Sequence, residues 1–189
     1  DGWAQYGYGS TSVPDGYFVD IAAGSGTNSG YVYILRNDGK VYFTQNGVDG
    51  WAQYGYGSPT IPGSYAYRDI SADSNGYIYV LRNNGKVYFT QNGVDGWSQY
   101  GYGESSLPTS YSYTGISSGL ENNGYVYVLR NNGKVYFTQN GVDGWAQYGY
   151  GSTLSYSPAV VDTSGYEGYI FALFEDGTVK RSTDGGDTW

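Results

Sequence analysis

The stretch NGKVYFTQNGVDGW at residues 84–97 recurs letter for letter at residues 132–145. A third copy occupies residues 38–51, where Asp38 replaces the first Asn. Recurrence of this kind is typical of a fold built from copies of one small unit, in which each copy buries its apolar face against the next. The repeat therefore decides how the rest of the chain is interpreted.

Five tryptophans mark the period of the repeat. They are Trp3, Trp51, Trp97, Trp145 and Trp189, at intervals of 48, 46, 48 and 44 residues. Each of the first four opens a near-constant octet, which reads WAQYGYGS or, at Trp97, WSQYGYGE. Repeats of about 40–50 residues correspond to one four-stranded blade of a β-propeller. The spacing therefore predicts an array of such blades.

Four strands are expected in each repeat, because β-branched and aromatic runs are bounded there by Gly and Asn. In the first repeat these strands are residues 17–22, 31–36, 40–45 and 51–56. The sequence Asn37-Asp38-Gly39 supplies the positive φ angles that a tight hairpin requires. The second strand is apolar on both sides and needs a covering layer on each face. No segment has the 3.6-residue period of an amphipathic helix, so we expect essentially no helix.

The fold class predicted from these patterns is all-β, a single four-bladed β-propeller domain. The expected blades are residues 11–58, 59–104, 105–152 and 153–189, with residues 1–10 as the outer strand of the last blade. We expect this N-terminal strand to complete the fourth blade, either in cis or in trans from another copy. Because Trp3 and Trp189 both match the first position of that strand, they compete for it. The candidate assembly residues are Trp3, Gln5, Tyr6, Tyr8 and Trp189.

Composition excludes several classes of function. A formal net charge of −8 has the wrong sign for binding a phosphate backbone, so nucleic acid is not an expected partner. The absence of Cys and His removes disulfides, thiolate or imidazole metal ligands and the usual general base. No apolar run is long enough to cross a bilayer, so we expect no membrane insertion. We expect no cofactor and no bound metal.

An extracellular location is expected from the same composition. The chain begins at Asp1 and contains no Met, which indicates a processed product such as one released from a secretory signal. It has 25 Tyr and 32 Gly but neither of the sulfur-containing residues that oxidise. These features suit a durable exposed protein.

Two resemblances arise from motifs in the repeat. The last eight residues, STDGGDTW, fit S-x-D-x-G-x-T-W and resemble the Asp box of sialidases and other β-propellers; Thr44, Asn46, Gly50 and Trp51 form a degenerate copy. In those families the box is structural, so the resemblance implies a fold and no catalytic role. The pattern GYxYxL, KxY and DxW, at residues 76–81, 86–88 and 95–97, is similar to the tachylectin and tectonin lectins.

Catalysis is not expected from the distribution of charged residues. A sialidase-like site needs a converging arginine cluster, whereas Arg36, Arg82 and Arg130 are equivalent positions of separate repeats. Arg68 and Arg181 do not complete such a cluster. A carboxylate pair for glycoside hydrolysis would have to come from acids outside the repeat, and these are expected to be solvated loop charges in different blades. They are Glu104, Glu121, Glu167 and Glu175.

Repeated sugar sites are a second interpretation of the octet. Aromatic faces suit a pyranose ring, and amide side chains bind its hydroxyls. For Trp51 and its copies we favour a place in the core, whereas the following tyrosines fit either a core or a sugar-binding role. The candidate sugar-binding residues are Gln53, Tyr54, Tyr56, Gln99, Tyr100, Tyr102, Gln147, Tyr148 and Tyr150.

The sequence favours, in order, three functions. The first is a non-catalytic secreted structural protein that self-associates into a filament or sheath, with exchange of the N-terminal strand as the expected route. Near-identical blades without a unique cleft suit such scaffolding. The second is a multivalent lectin with glycans as partners, and the third is a glycosidase.

Overall fold

A computed structural model describes most of the first three repeats and parts of the rest. The described residues are Gly7, Gly9, 12–62, 65–101, 107–108, 110–118, 125–131, 134–138, 142, 144–148, 160–163, 169–174, 176–183 and 188–189. The candidate residues Trp3, Gln5, Tyr6, Tyr8, Tyr102 and Tyr150 lie outside this set, as does the side chain of Tyr148.

The described residues form four antiparallel sheets in chain order. Sheet 1 contains β1 (Phe18–Ala23), β2 (Val32–Arg36), β3 (Val41–Thr44) and β4 (Ala52–Tyr54). Sheet 2 contains β5 (Tyr67–Ala72), β6 (Ile78–Arg82), β7 (Val87–Thr90) and β8 (Ser98–Tyr100). Sheet 3 contains β9 (Tyr113–Ser118), β10 (Val126–Arg130), β11 (Val135–Thr138) and β12 (Ala146–Tyr148). Sheet 4 contains β13 (Val160–Thr163), β14 (Ile170–Leu173) and β15 (Val179–Ser182).

These strands confirm the all-β repeated prediction, and they are slightly shorter than expected. Each sheet is a meander in which consecutive strands pair. Across the described ranges the one helical piece is a short 3-10 turn, Gly26–Asn28, in the β1–β2 loop. The hairpin between β2 and β3 turns at Gly39, which has a φ of 89°, and closes through a 2.9 Å bond from Arg36 N to Lys40 O. A positive φ here is why glycine ends the Asp-Gly and Asn-Gly turns.

The core lies between consecutive sheets. The first strands of sheets 1 to 4 contact one another in succession, β1 with β5, β5 with β9 and β9 with β13. Apolar clusters fill the space between sheets 1 and 2, between sheets 2 and 3, and between sheets 3 and 4. The middle strand β6 is buried along its whole length because sheets 1 and 3 cover its two faces.

A tryptophan and a glycine join sheet 2 to sheet 1. The Trp97 indole N–H donates to Gly55 O over 2.8 Å, and Gly55 N donates to Gly93 O over 2.8 Å. Gly55 has a φ of 64°, and a Cβ there would lie 2.6 Å from Trp97 Nε1. We call this contact the Trp–Gly joint. Gly101 meets Trp145 in the same way between sheets 2 and 3.

The joint is also present on the front of sheet 1. Gly7 N donates to Gly47 O over 2.8 Å, and a Cβ on Gly7 would lie 2.6 Å from Trp51 Nε1. Gly7 is therefore placed against sheet 1 as Gly55 is placed against sheet 2.

Candidate functional site

A cavity of about 630 Å³ opens between sheets 1 and 2. One wall is the outer strand β4 and the segment after it, which contribute Gln53 and Tyr56. The opposite wall is the β7–β8 hairpin turn of sheet 2, residues 91–94. The loops before β2 and β6 close one end with Asn28 and Asn75. The cavity therefore exists only because two repeats pack together.

Tyr54 and Tyr56, two of the predicted sugar-binding residues, have different environments. Tyr54 is 4% exposed and packs edge-on against Tyr33 and Phe43, with ring centroids 5.1 and 5.2 Å apart. Its hydroxyl donates to Gln91 O over 3.4 Å. Tyr56 is 59% exposed at the cavity wall. Tyr54 is thus a core residue that forms part of the cavity floor, whereas Tyr56 presents a free aromatic face.

Asn28 organises the polar end of the cavity. Its side-chain amide donates to the Tyr33 hydroxyl over 2.7 Å and reaches Gly76 O of sheet 2 at 3.4 Å. The loop is anchored across the interface by Thr27 N, which donates to Ser74 O over 3.1 Å. Burial raises the pKa of the Tyr33 phenol above its ordinary range, and the neighbouring Tyr54 adds to the rise. The cavity floor is therefore neutral and rich in hydrogen-bonding groups.

The lining as described contains no carboxylate and no cationic side chain. Its polar members are amides, phenols and one hydroxyl. Its apolar members are aromatic rings and small aliphatic groups, among them Tyr31, Phe43 and Val94. Such a surface can stack against an apolar face and exchange hydrogen bonds with neutral hydroxyls, but it has no group suited to transferring a proton at neutral pH.

The remaining octets repeat part of this pattern. In sheet 2 Tyr100 is buried and packs edge-on against Tyr79 and Phe89, while Gln99 is half-buried. In sheet 3 Gln147 is half-buried. The tryptophans that open these octets, Trp97 and Trp145, are buried, as the core interpretation predicts, and Trp51 is half-buried. Trp189 packs against the cluster between sheets 3 and 4.

The arginines considered for a sialidase-like site each contact a partner in their own repeat. Arg36 forms an ion pair with Asp38 on its own hairpin. Arg82 lies under the Tyr65 ring and Arg130 under the Tyr111 ring. The equivalent arginines therefore occupy three different sheets and do not converge. The acids Glu104, Glu121, Glu167 and Glu175 fall outside the described residues.

The described part of the chain contains neither a metal-binding cluster nor a membrane-spanning helix. No group of three or more acidic, His or Cys side chains is arranged there to hold a metal ion. Nor does that part contain a helix with the length and apolarity to span a membrane.

Among the residues that line the cavity, Gln53 and Tyr56 were predicted from the octet. Asn28, Asn75 and the hairpin residues 91–94 come from other segments and were not predicted. One signal for Asn28 was present in the sequence. The loop at residues 24–31 is longer than its counterpart at residues 73–77, and the extra residues carry Asn28 across the interface. The contribution of residues 91–94 follows from how two repeats pack, which a single repeat does not reveal.

No family model and no curated protein matches the chain. Solved structures do match. YCF48 from Cyanidioschyzon merolae aligns with a TM-score of 0.63 at 16% identity, over 92% of this chain and 55% of that one. A structure of YCF48 bound to D1 peptide aligns with a TM-score of 0.64 at 16% identity, over 91% of this chain and 53% of that one.

The GH74 xyloglucanase from Xanthomonas campestris aligns with a TM-score of 0.53 at 13% identity, over 90% of this chain and 31% of that enzyme. The chain thus spans about half the length of YCF48 and less of the xyloglucanase. These neighbours are β-propeller-like proteins of different functions. At such identities the likeness shows the fold alone, which is a β-propeller-type array of antiparallel sheets.

Proposed function

We propose that this protein is a non-catalytic module that binds neutral carbohydrate in the cavity between sheets 1 and 2. The observation that carries the proposal is the convergence of Gln53 and Tyr56 with the amides of Asn28 and Asn75 around one cavity. This geometry raises the lectin interpretation above the filament interpretation that the sequence favours.

The chemistry of the cavity suits an uncharged sugar. The exposed Tyr56 ring offers a flat apolar surface for the C–H face of a pyranose. The side-chain amides of Gln53 and Asn75 supply donors and acceptors for ring hydroxyls, whereas Asn28, whose amide nitrogen donates to Tyr33 and Gly76 O, offers its oxygen as an acceptor. A volume of about 630 Å³ lies within the usual range of small-molecule sites, which is about 300–1,000 Å³.

Repetition supports more than one site. Sheet 2 offers Phe89, Gln99 and Tyr100 at the positions that Phe43, Gln53 and Tyr54 hold in sheet 1. Weak sites on one rigid array gain apparent affinity for a polymer through effective concentration. We therefore expect polysaccharide to bind more tightly than the free monosaccharide.

Titration calorimetry with neutral oligosaccharides selected on a glycan array tests the proposal. We expect saturable binding that the substitutions Tyr56→Ala and Gln53→Ala each weaken about tenfold. Tyr17→Ala is the matched control, since Tyr17 is 71% exposed and does not line the cavity. Tyr54 is unsuitable for this test because its removal would open the core. An array without any saturable ligand would contradict the proposal, as would equal losses in all three variants.

The second candidate is self-association into an extracellular filament or sheath. The supporting observation is Gly7, which lies against sheet 1 in the manner of an outer strand from a preceding sheet. In the described residues β1 and β13 do not pack together as the first strands of consecutive sheets do. We propose that the N-terminal strand pairs with β15, closing a four-bladed ring in cis or linking copies head to tail in trans.

Light scattering and electron microscopy separate these closures. Association in trans predicts species that grow with concentration and are lost when residues 1–10 are deleted. Monodisperse monomers at high concentration, with the N-terminal strand intact, would contradict association in trans. If deletion of residues 1–10 left both mass and stability unchanged, the strand would have no role in either closure.

We also propose that the turn between β3 and β4 is a variant Asp box. Asn46 Oδ1 accepts the backbone N–H groups of Val48 and Asp49, each over 2.9 Å. Thr44 Oγ1 donates to Asp49 O over 2.9 Å. Asn46 thus makes the turn-tying bonds expected of the Asp in S-x-D-x-G-x-T-W.

A secreted location remains part of the proposed function, supported by a composition without Cys or Met.

A further inference from the structure

Two carboxyl groups that the proposed sugar site does not use lie where the first strands of three sheets meet. Asp20 is on β1 and Asp69 is on β5, and each directly follows a register shift in its strand. Both residues pair with the same leucine position of the adjacent strand, Leu35 and Leu81. The two acids are therefore equivalent residues of successive repeats.

Each carboxylate bonds to the backbone of the following sheet. Asp20 Oδ2 accepts from Ile70 N over 2.8 Å, which ties sheet 1 to sheet 2. Asp69 Oδ2 accepts from Ile116 N over 2.7 Å, which ties sheet 2 to sheet 3. Asp69 Oδ1 also accepts from Ile70 N over 2.9 Å, so that one N–H group lies against both carboxyl groups and brings Asp20 Oδ2 and Asp69 Oδ1 close together. A bond between two carboxyl groups requires a proton on one of them.

We propose that Asp69 holds a proton that it donates to Asp20, and that the two acids form a pH-sensitive latch that holds the first strands of sheets 1, 2 and 3 together. With the proton in place, one acid donates to the other while both continue to accept backbone N–H groups. Without it, two like charges face each other at a site partly withdrawn from water.

The environment favours the protonated form. Burial is the main cause that raises the pKa of Asp69, to about 9, and the hydrogen bond and charge of Asp20 add to it. The N–H groups of Ile116 and Ile70 act in the opposite direction but do not offset these causes.

The cations on the adjoining strands are engaged or exposed. Arg68, beside Asp69 on β5, is exposed. On β2, Arg36 pairs with Asp38, and on β6, Arg82 lies under Tyr65. The tyrosines of β2, β5, β6 and β9 are phenols whose pKa values burial raises, so they stay neutral; they are Tyr33, Tyr67, Tyr79 and Tyr113. Among the described side chains, Asp20 is therefore the one whose charge acts on Asp69.

The latch makes stability decline as pH rises. Asp69 binds its proton more tightly in the folded chain than in the unfolded chain, where an Asp has a pKa of about 3.9. Its contribution is fully present below that value and is lost as pH rises to about 9. Over this window one group of this kind lowers the folding equilibrium constant by up to about tenfold per pH unit.

Urea unfolding of the wild type and two variants between pH 5 and pH 9.5 tests the latch. We expect the folding constant of the wild type to fall across this range. Asp69→Asn should abolish most of the fall, because the amide donates to Asp20 without any charge to titrate. Asp15→Asn is the matched control, since Asp15 is exposed, and it should keep the wild-type slope. A wild-type slope in Asp69→Asn would overturn the proposal.

If Asp69→Asn does not fold, titration of the Asp carboxyl groups followed by NMR still tests the latch. In protein labelled with ¹³C at Asp Cγ, NMR should show one carboxyl that titrates above pH 7. In Asp20→Asn the amide donates to Asp69 and the neighbouring charge is gone, so this titration should move to lower pH. A wild-type spectrum in which every Asp titrates below pH 6 would overturn the latch, as would an unchanged titration in Asp20→Asn.

Discussion

At the scale of single residues, the repeats satisfy one arginine in different ways. In sheet 1 Arg36 pairs with Asp38, and its Nε–H donates to Asp38 Oδ1 over 2.8 Å. In sheet 2 the matching turn residue is Asn84, and the guanidinium of Arg82 instead lies 2.9 Å from the centroid of Tyr65. A guanidinium can be stabilised either by a carboxylate or by an aromatic face. The arginine is thus present in both repeats, while its partner is a carboxylate in one and an aromatic ring in the other.

This exchange predicts a rescue. Tyr65→Ala should lower the free energy of unfolding by about 1–2 kcal/mol, because it uncovers the guanidinium of Arg82, a residue that is 7% exposed. Adding Asn84→Asp should recover part of that loss, since the new carboxylate can pair with Arg82 as Asp38 does with Arg36. Tyr17→Ala serves as the exposed control, with a change below about 0.5 kcal/mol. Urea denaturation measures the wild type, both single variants, the double variant and Tyr17→Ala. Additive effects of the two substitutions, with no recovery, would contradict the exchange.

At the scale of elements, the Trp–Gly joint sets how closely consecutive sheets approach. Gly55→Ala should destabilise the fold by about 2–4 kcal/mol, because the methyl group meets the Trp97 indole and the residue keeps a positive φ. Gly177→Ala is the control that measures the cost of a positive φ alone. Gly177 has a φ of 82° with nothing within 4 Å of an added Cβ, so about 1 kcal/mol is expected. Thermal or urea denaturation measures both variants. Equal losses of stability in Gly55→Ala and Gly177→Ala would contradict a steric role for the joint.

The inter-sheet carboxylates also predict unequal attachment of the sheets. Position 115 is paired with Leu129 as Asp20 and Asp69 are paired with their leucines, but it is glycine. Sheet 3 therefore has no equivalent side chain to bind the first strand of sheet 4. Hydrogen exchange should show the amides of β13, β14 and β15 exchanging before those of β5, β6 and β7. Uniform protection across the sheets would contradict this expectation.

Sequence patterns predicted the elements well because their causes are local. Alternating aromatic and β-branched residues specify strands, and Asn-Gly or Asp-Gly specifies the hairpins that connect them. The contacts between repeats were not predictable in the same way. Gly55 resembles any turn glycine until Trp97 lies beside it, and Asp20 resembles a surface acid until a register shift in its strand brings it to Asp69. The candidate site was half predicted for this reason, since one of its walls belongs to the next repeat.

At the scale of the whole molecule, buried tyrosines fill core positions that aliphatic residues occupy in most proteins. Tyr33, Tyr67, Tyr79 and Tyr113 are at most 2% exposed. Stacked and edge-on contacts link Tyr31, Tyr33, Phe43 and Tyr54 within sheet 1 and their counterparts within sheet 2. Their hydroxyls are hydrogen-bonded either to the backbone, as Tyr67 is to Pro62 O at 2.9 Å, or to a side chain, as Tyr79 is to Asp73 Oδ2 at 3.2 Å. Such a core is apolar only while its phenols stay protonated.

This core predicts unfolding in alkali. Burial raises the pKa values of these four tyrosines above those of the unfolded chain, which are about 10. Their stabilising contribution is therefore present below about pH 10 and is lost as pH rises further. Phenolate absorbance and circular dichroism, recorded together, should show a group of tyrosines ionising in step with the loss of sheet structure. Smooth ionisation of all 25 tyrosines in a protein that stays folded would contradict this prediction.

The Trp–Gly joint has a consequence for how such a chain can change over generations. Residues 84–97 and 132–145 are identical, so an exchange between the gene segments that encode them removes or adds 48 residues. The segment gained or lost carries one whole sheet with one tryptophan and one octet. Both new neighbours still present the glycine and the indole that the joint requires. Unequal crossing-over can therefore alter the number of sheets in one step while keeping the Trp–Gly joint between the sheets that become neighbours.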